Sequence, residues 1–331
     1  MSQQSELLRR LRNLPSDRRE EFLSQLDRTT RGARSAPLSF RQEQLWLFDR
    51  VAPSSTAYGL GFAVALSGPL DRAALEQAIG DVLERHTVLR SAFPLEAETG
   101  TQTVQATPAV RLEAEPCDPG DTGRRTAQIV REELSAGFDL DTGPMIRFRL
   151  LRTGPDRHVL VLASHYLAMD PRSAEVLTGD LAAAYRAREK GVESPFGAPA
   201  PQFGEYASWQ RAWSESAEAQ ESARAWERAL SGWESTELPP DLPRPRVLAL
   251  DSGVVRRELS DGTAGRVRDL AARLGVLPDD VLLAVFYALI ARQTAADDLI
   301  VGVPHRVAGP FSADDLVGDL GNLLPVRVGV R

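Results

Sequence analysis

The chain has 331 residues, 43% of them hydrophobic and 26% charged, a composition that excludes a disordered or collagen-like protein. Its length exceeds the size at which one hydrophobic core usually stops growing, so it predicts two lobes. The net charge of −7 argues against nucleic-acid and anionic-membrane partners. The single cysteine, Cys117, excludes an intrachain disulfide and a multi-cysteine metal site, and with four histidines in all we expect no metal centre.

Hydrophobic periodicity predicts most of the secondary structure. Apolar residues recur at helical or near-helical spacing over residues 5–13, 16–28, 39–48, 71–85, 123–135, 172–190, 203–213, 261–274 and 279–292. Strand patterns cover residues 60–66, 101–105, 110–114, 146–150, 159–163, 248–259, 299–303 and 325–330. Asp71 is a candidate N-cap, Gly154-Pro155-Asp156 predicts a hairpin turn, and the helix at 279–292 is apolar enough to be buried.

The first residues lack the apolar stretch of a signal peptide, and no run reaches the length of a membrane span. With a single cysteine, this leads us to expect a cytoplasmic protein. Residues 1–37 are interpreted as a helical appendage and linker. Because they begin at a methionine, we expect the first domain of a polypeptide or a separate protein.

The apolar strand at 159–163 ends in polar groups, which is how a buried strand delivers side chains to a cleft. The segment reads Ser164-His165-Tyr166-Leu167-Ala168-Met169-Asp170-Pro171. Strand alternation places His165 on the face of Val161 and Ala163, and Tyr166 on the opposite face. Chemistry at this segment can therefore use one of the two rings, not both.

Five segments, taken in order, resemble the condensation domains of nonribosomal peptide synthetases, relatives of chloramphenicol acetyltransferase. Residues 39–48 look like the first motif, Ser-x-Ala-Gln-x-Arg-Leu-Trp, with Arg41 in the Ala place and Gln44 in the Arg place. The third motif, His-His-x-x-x-Asp-Gly, falls on residues 165–171. The second, fourth and fifth motifs are similar to residues 85–93, 203–209 and 317–327.

The resemblance implies a two-lobed α/β fold of the chloramphenicol acetyltransferase type, in which each lobe is a mixed sheet with helices. The N-terminal lobe is expected at residues 38–200 and a partial C-terminal lobe at residues 201–331, with a cleft between them at residues 165–171. The family continues through two further motifs, so we expect a truncated C-terminal lobe, either in a cut chain or in a natural fragment.

The family is an acyl or peptidyl transferase whose catalytic group is the second His of the third motif, and Tyr166 holds that place here. A histidine titrates near pH 6.5 and suits proton transfer, whereas a tyrosine titrates near pH 10. The resemblance implies structural roles for His165 and Asp170, and Arg306 is our candidate partner for Asp170. His165 is either a hydrogen-bonded core residue or a substitute catalyst.

Pro171 replaces the family's Gly, which predicts a stiffer turn. Pro171, together with Ser164 and Asn322, is expected to line a substrate tunnel. The resemblance further implies that no cofactor binds directly, because the phosphopantetheine arm belongs to the partner carrier proteins.

Three functions follow as hypotheses. The first is a degenerate condensation domain that accepts carrier proteins, or recruits another biosynthetic enzyme to them, without forming bonds. The second is an active amide- or ester-forming enzyme that relies on positioning, on Tyr166 or on His165. The third is a free-standing acetyltransferase that uses coenzyme A, which is disfavoured because that branch also needs a His at the position of Tyr166.

Overall fold

A computed structural model describes residues 35–52, 55–95, 100–192, 196–197, 199–243 and 253–330. The helices are α1 Phe40–Val51, α2 Arg72–Arg85, α3 Thr122–Ser135, α4 Ser173–Glu189, α5 Phe203–Ser214, α6 Ala217–Leu230, α7 Asp261–Leu274 and α8 Pro278–Thr294. The strands are β1 Ser35–Pro37, β2 Gly59–Ser67, β3 Ser91–Ala92, β4 Thr101–Val104, β5 Ala114–Pro116, β6 Ile146–Gly154, β7 Arg157–His165, β8 Asp298–Arg306 and β9 Gly321–Gly329. The predicted helices at 5–13 and 16–28 lie outside the described residues.

The described residues form two compact units. The first contains the residues up to Ala219 together with Arg306–Asn322, and the second contains Gln220–His305 and the residues from Leu323 onward. This division differs from the predicted lobes, because Phe203 and Tyr206 of α5 are buried with Leu316 in the core of the first unit. Residues 201–219 and 306–322 therefore belong to the unit that carries the third motif.

The first unit is built around a four-stranded sheet in the order β2, β7, β6, β5. Strand β7 is antiparallel to both β2 and β6, which confirms the predicted hairpin, and β5 runs parallel to β6. The apolar run of β7 is buried on both faces: Leu160 and Leu162 join the main core, whereas Val161 packs with Ile129 of α3. A strand covered on both sides needs this continuous apolar sequence.

Close approach of α3 to the sheet explains two glycines in β2. A Cβ at Gly61 would overlap the side chain of Val130, and one at Gly59 would overlap Leu134. Helix α2 lies in the main core through its predicted apolar stripe. Its predicted N-cap is confirmed, since the Asp71 carboxylate accepts a hydrogen bond from the Ala74 amide at 3.0 Å.

Two predictions about short segments need correction. The interpretation of residues 1–37 as a helical appendage and linker is wrong at its end, because Ser35–Pro37 pairs with β4 in a second sheet of order β1, β4, β3. The strand predicted at 110–114 is mostly unpaired, and β5 begins only at Ala114. Here the Glu76 carboxylate of α2 accepts the Leu112 amide at 2.8 Å, so this backbone is tied to a helix instead of a strand.

In the second unit, α7 ends at Leu274 as predicted, and Gly275 follows it in the left-handed conformation with φ 68°. The predicted burial of the next helix is wrong: Val285 of α8 is 61% exposed and Leu289 is 50% exposed. The described part of this unit covers one face of α8, where Tyr287 is buried and donates its hydroxyl to the Val326 carbonyl of β9. Residues 253–259 of the strand predicted at 248–259 are not a strand, and the rest lies outside the described residues.

None of the described helices alone is long and apolar enough to cross a membrane. Helices α7 and α8, bent by 103° relative to each other, reach that length and composition only when they are taken together.

Candidate functional site

The segment after β7 continues the sheet by one residue and then turns. The Tyr166 amide donates to the Tyr58 carbonyl at 2.9 Å, which extends the pairing with β2. The half-buried Tyr166 ring packs against the main core and meets the Tyr58 ring edge-on, with centroids 6.4 Å apart. Tyr166 is thus held on the core face of the sheet, as the alternation of β7 predicts.

The environment of Tyr166 keeps its hydroxyl protonated. Burial raises the pKa of the phenol, and the nearby carboxylates of Asp319 and Asp170 raise it further, against a lowering by Arg41. A phenol already titrates near pH 10, so at neutral pH this group holds its proton. It can donate a hydrogen bond to a carbonyl, but it cannot accept a proton from an amine.

His165 lies on the opposite face, where it is 6% exposed and packs against Phe138 beyond α3. Its Nδ1 accepts the Leu167 amide at 3.1 Å, so the proton of the neutral ring sits on Nε2. That nitrogen lies 3.3 Å from Asp49 Oδ2. Burial lowers the pKa of His165 to about 4 and raises that of Asp49 to about 6. These contacts fit the core interpretation of His165.

A cavity of about 190 Å³ adjoins this buried pair. His165 and Asp49 line it together with Phe138, Asp139 and Asp141. Both acidic residues at 139 and 141 already accept backbone hydrogen bonds, from the Asp141 and Leu95 amides respectively. Within the ranges that the structure describes, no group of three or more His, Cys, Asp or Glu residues is placed to hold a metal ion.

Asp170 is 4% exposed and makes the predicted contact with Arg306. Arg306 Nε donates to Oδ2 at 2.8 Å, and Nη2 lies 3.4 Å from Oδ1. The amide and the hydroxyl of Ser173 donate to Oδ1 at 2.8 and 2.7 Å. With both oxygens accepting hydrogen bonds, Asp170 fixes the start of α4 and the loop before it. This arrangement favours the structural interpretation over a catalytic one.

Helix α1 holds the other side of the same loop, through a contact that the sequence did not lead us to expect. Gln42 Nε2 donates to the Leu167 carbonyl at 2.8 Å, while its Oε1 accepts the Ser39 amide at 3.0 Å and Gln102 Nε2 at 3.1 Å. Gln42 is fully buried. The Gln at the centre of the first motif was the feature of the sequence that could have indicated this contact, because a buried amide must find hydrogen-bond partners for its polar atoms.

A second unexpected contact joins α1 to the segment before β9. Arg41 Nε donates to Asp319 Oδ2 at 3.2 Å, and the Gly321 amide donates to Oδ1 at 2.9 Å. Asp319 is 3% exposed, and burial raises its pKa. Arg41, a charged residue in the Ala place of the first motif, indicated that an acidic partner lies nearby. Nothing in the local sequence pattern identified Asp319 as that partner.

Gly318, which precedes this aspartate, has φ 155° and approaches Phe203 so closely that a Cβ would overlap the ring. Its amide donates to the Ser173 hydroxyl at 3.1 Å. The segment therefore lies directly against Ser173, which donates two hydrogen bonds to Asp170.

The three predicted tunnel residues have different surroundings. Ser164 is completely buried and donates its hydroxyl to the Met145 carbonyl at 2.6 Å, so this group is occupied within the sheet. Pro171 and Asn322 are exposed. Their tunnel roles stay predictions. Outside these residues, His86 is buried and lies 2.7 Å from the Asp180 carboxylate of α4.

A model of the condensation domain family matches residues 33–331. Phosphinothricin tripeptide synthetase PhsB of Streptomyces viridochromogenes is 35% identical over 301 residues, which are 89% of this chain and 25% of the relative. A linear gramicidin synthase of Brevibacillus parabrevis is 32% identical, over 89% of this chain and 6% of the relative. The chain thus spans a quarter or less of these two relatives.

Among solved structures, the X-domain from teicoplanin biosynthesis has a TM-score of 0.77 and 31% identity, over 88% of this chain and 65% of the solved one. The complex of that X-domain with OxyB matches at a TM-score of 0.75 and 31% identity, over 89% and 65%. The first condensation domain of the CDA synthetase has a TM-score of 0.75 and 24% identity, over 90% and 70%. This last likeness shows the fold alone, and it confirms the predicted fold class.

Proposed function

Because the chain belongs to the condensation domain family, we propose that it engages acyl or aminoacyl thioesters on carrier proteins in nonribosomal peptide biosynthesis, with little amide-bond formation of its own. The observation that carries this proposal is Tyr166 at the position of the catalytic histidine, with a pKa raised by burial. Its relatives are synthetases whose names describe peptide products, which supports the biosynthetic setting.

The chemistry of condensation makes this position decisive. An amine attacks the thioester carbonyl, the amine nitrogen must lose a proton, and the thiol leaves. A positioned base that accepts this proton contributes about a hundred- to ten-thousandfold in rate. Tyr166 holds its own proton at neutral pH, so it cannot take the proton from the amine. Proximity of the two bound substrates would remain as a source of rate.

The neighbouring titratable groups do not replace the missing base. His165 lies on the other face of the sheet, its Nδ1 accepts the Leu167 amide, and its Nε2 lies 3.3 Å from Asp49 Oδ2. Asp170 is held by Arg306 and Ser173. Both side chains are already engaged by neighbours, which favours a binding role for the domain over proton transfer.

The thioesters are expected to arrive on the phosphopantetheine arms of carrier proteins, as the family implies. The proposal therefore requires no cofactor bound by the domain itself. Pro171, in the exposed turn before α4, is the proposed wall along which such an arm would lie.

A second candidate function is recruitment of another biosynthetic enzyme. The teicoplanin X-domain, 31% identical to this chain, has been solved in a complex with OxyB. We infer that a surface of this domain could hold a partner enzyme near the carrier protein. This role is compatible with the first, since neither needs a base at residue 166.

The test is a single-turnover assay with one carrier protein loaded with an acyl donor and another with an aminoacyl acceptor, followed by intact mass. We expect the unaltered domain to bind both carriers and to yield little condensed product. Tyr166→His should raise the yield, and Tyr166→Phe should leave it low. Tyr185→His, the same exchange on α4, is the matched control. Efficient product formation that Tyr166→Phe abolishes would favour the active enzyme instead.

A further inference from the structure

Two charged side chains that the proposed function does not use lie beside Tyr166. Arg41, near the start of α1, reaches the Asp319 carboxylate with its Nε at 3.2 Å. The Asp319 side chain is 3% exposed, whereas that of Arg41 is 36% exposed. The pair thus joins a buried anion to a cation that still touches solvent.

This pair is connected to Tyr166 on two sides. The guanidinium carbon of Arg41 lies 5.8 Å from the centroid of the Tyr58 ring, and that ring meets Tyr166 edge-on. On the other side, the Gly318 amide donates to the Ser173 hydroxyl at 3.1 Å, and that hydroxyl donates to Asp170 Oδ1 at 2.7 Å. Asp319 therefore belongs to the surroundings of the residue that stands in the catalytic place.

The charges of this pair suggest an exchangeable contact. A buried carboxylate needs a positive or donating partner, because leaving it alone costs several kcal/mol. Arg41 gives Asp319 a single hydrogen bond through Nε, not the bidentate bond that makes arginine pairs strong. The Gly321 amide holds the other oxygen. A second cation that reached Oδ2 would compete with Arg41 for one bond only.

The cation that the proposed function would bring here is an ammonium group. We propose that Asp319 binds the protonated amine of an aminoacyl thioester, and that Arg41 competes with this amine for the same carboxylate oxygen. The inference rests on the proposed function, because it takes the carrier-borne aminoacyl group as the ligand. An amine that keeps its proton on a buried carboxylate is not a nucleophile, so Asp319 suits a domain that holds an aminoacyl group without joining it.

The experiment compares two probes on the same carrier protein. One probe carries a glycyl group in amide linkage to the pantetheine arm, and the other carries N-acetylglycine, which has no positive charge. Dissociation constants are measured by calorimetry at neutral pH for the full chain and for three variants. Arg111→Ala is the matched control, because Arg111 is 84% exposed and pairs with Glu76.

We expect the dissociation constant of the glycyl probe to be about tenfold or more below that of the acetylated probe. The reason is that a charge-assisted hydrogen bond to a buried carboxylate is stronger than a neutral one. Asp319→Asn should reduce this ratio to about one, and Arg41→Ala should tighten binding of the glycyl probe severalfold. Arg111→Ala should change neither. Circular dichroism checks that the Asp319→Asn variant is folded. The Arg41→Ala variant tests the competition between Arg41 and the amine without altering Asp319 itself.

Failure of the Asp319 assignment can be told apart from failure of the proposed function. If both probes bind the unaltered chain equally, or if Arg41→Ala does not tighten binding of the glycyl probe, the assignment of Asp319 is refuted while the proposed function stands. If neither probe binds, the proposed function itself is refuted, and the assignment with it.

Discussion

Replacing Arg306 by methionine tests how the loop that carries Tyr166 is held. Arg306→Met keeps most of the apolar stem but removes the cation from Asp170, whose side chain is 5% exposed. Breaking a buried ion pair from one side costs about 3–5 kcal/mol. Here Ser173 still donates two hydrogen bonds to Asp170, and Arg306 is 23% exposed, so we take the lower end. The expected loss is about 3 kcal/mol in the free energy of unfolding.

Urea unfolding followed by tryptophan fluorescence measures this loss. Arg111→Met is the control, because Arg111 is 84% exposed and such a solvent-facing cation contributes about 1 kcal/mol or less through its ion pair, here with Glu76. The double variant with Asp170→Asn completes a cycle that isolates the coupling between the two residues. Hydrogen exchange of residues 306–322 should speed up in Arg306→Met. Equal losses in Arg306→Met and Arg111→Met would refute the view that this ion pair fixes the loop.

Two further predictions concern other parts of the first unit. Gly318→Ala should destabilise the protein by at least about 1–3 kcal/mol in urea unfolding, since the added methyl overlaps Phe203; a neutral effect would contradict the close approach. Asp49 has a pKa raised to about 6, so the native state takes up a proton below pH 6 that the unfolded chain takes up only near pH 4. Its contribution to stability is therefore larger at low pH, and is lost as pH rises through 6. The free energy of unfolding of the unaltered chain, measured relative to that of Asp49→Asn, should therefore rise by about 1 kcal/mol from pH 7 to pH 5. A difference between the two chains that does not depend on pH would contradict this assignment.

Local patterns were enough to predict the elements that bear the site. The hairpin of β6 and β7 follows from its alternation and its turn, and the separation of His165 from Tyr166 follows from the two-residue period of a strand. The contact between Asp170 and Arg306 came from the family resemblance, since no local pattern links residues 136 positions apart.

Contacts between distant polar residues were not predictable in this way. Gln42 meets Leu167 across 125 positions, and Arg41 meets Asp319 across 278. Polar side chains carry no periodic signal, and each of these bonds depends on where the chain returns in space. The exposure of α8 was missed for a related reason: composition tells how apolar a helix is, but not what lies against it.

We propose that Tyr166 leaves this domain without a base for amide formation. The decisive measurement is the ratio of single-turnover condensation rates, Tyr166→His over the unaltered chain, with identical loaded carriers at neutral pH. We predict a ratio of about ten or more, as a fraction of the hundred- to ten-thousandfold that a well-positioned base supplies. A ratio of one or less, with the unaltered chain forming product efficiently, would contradict it.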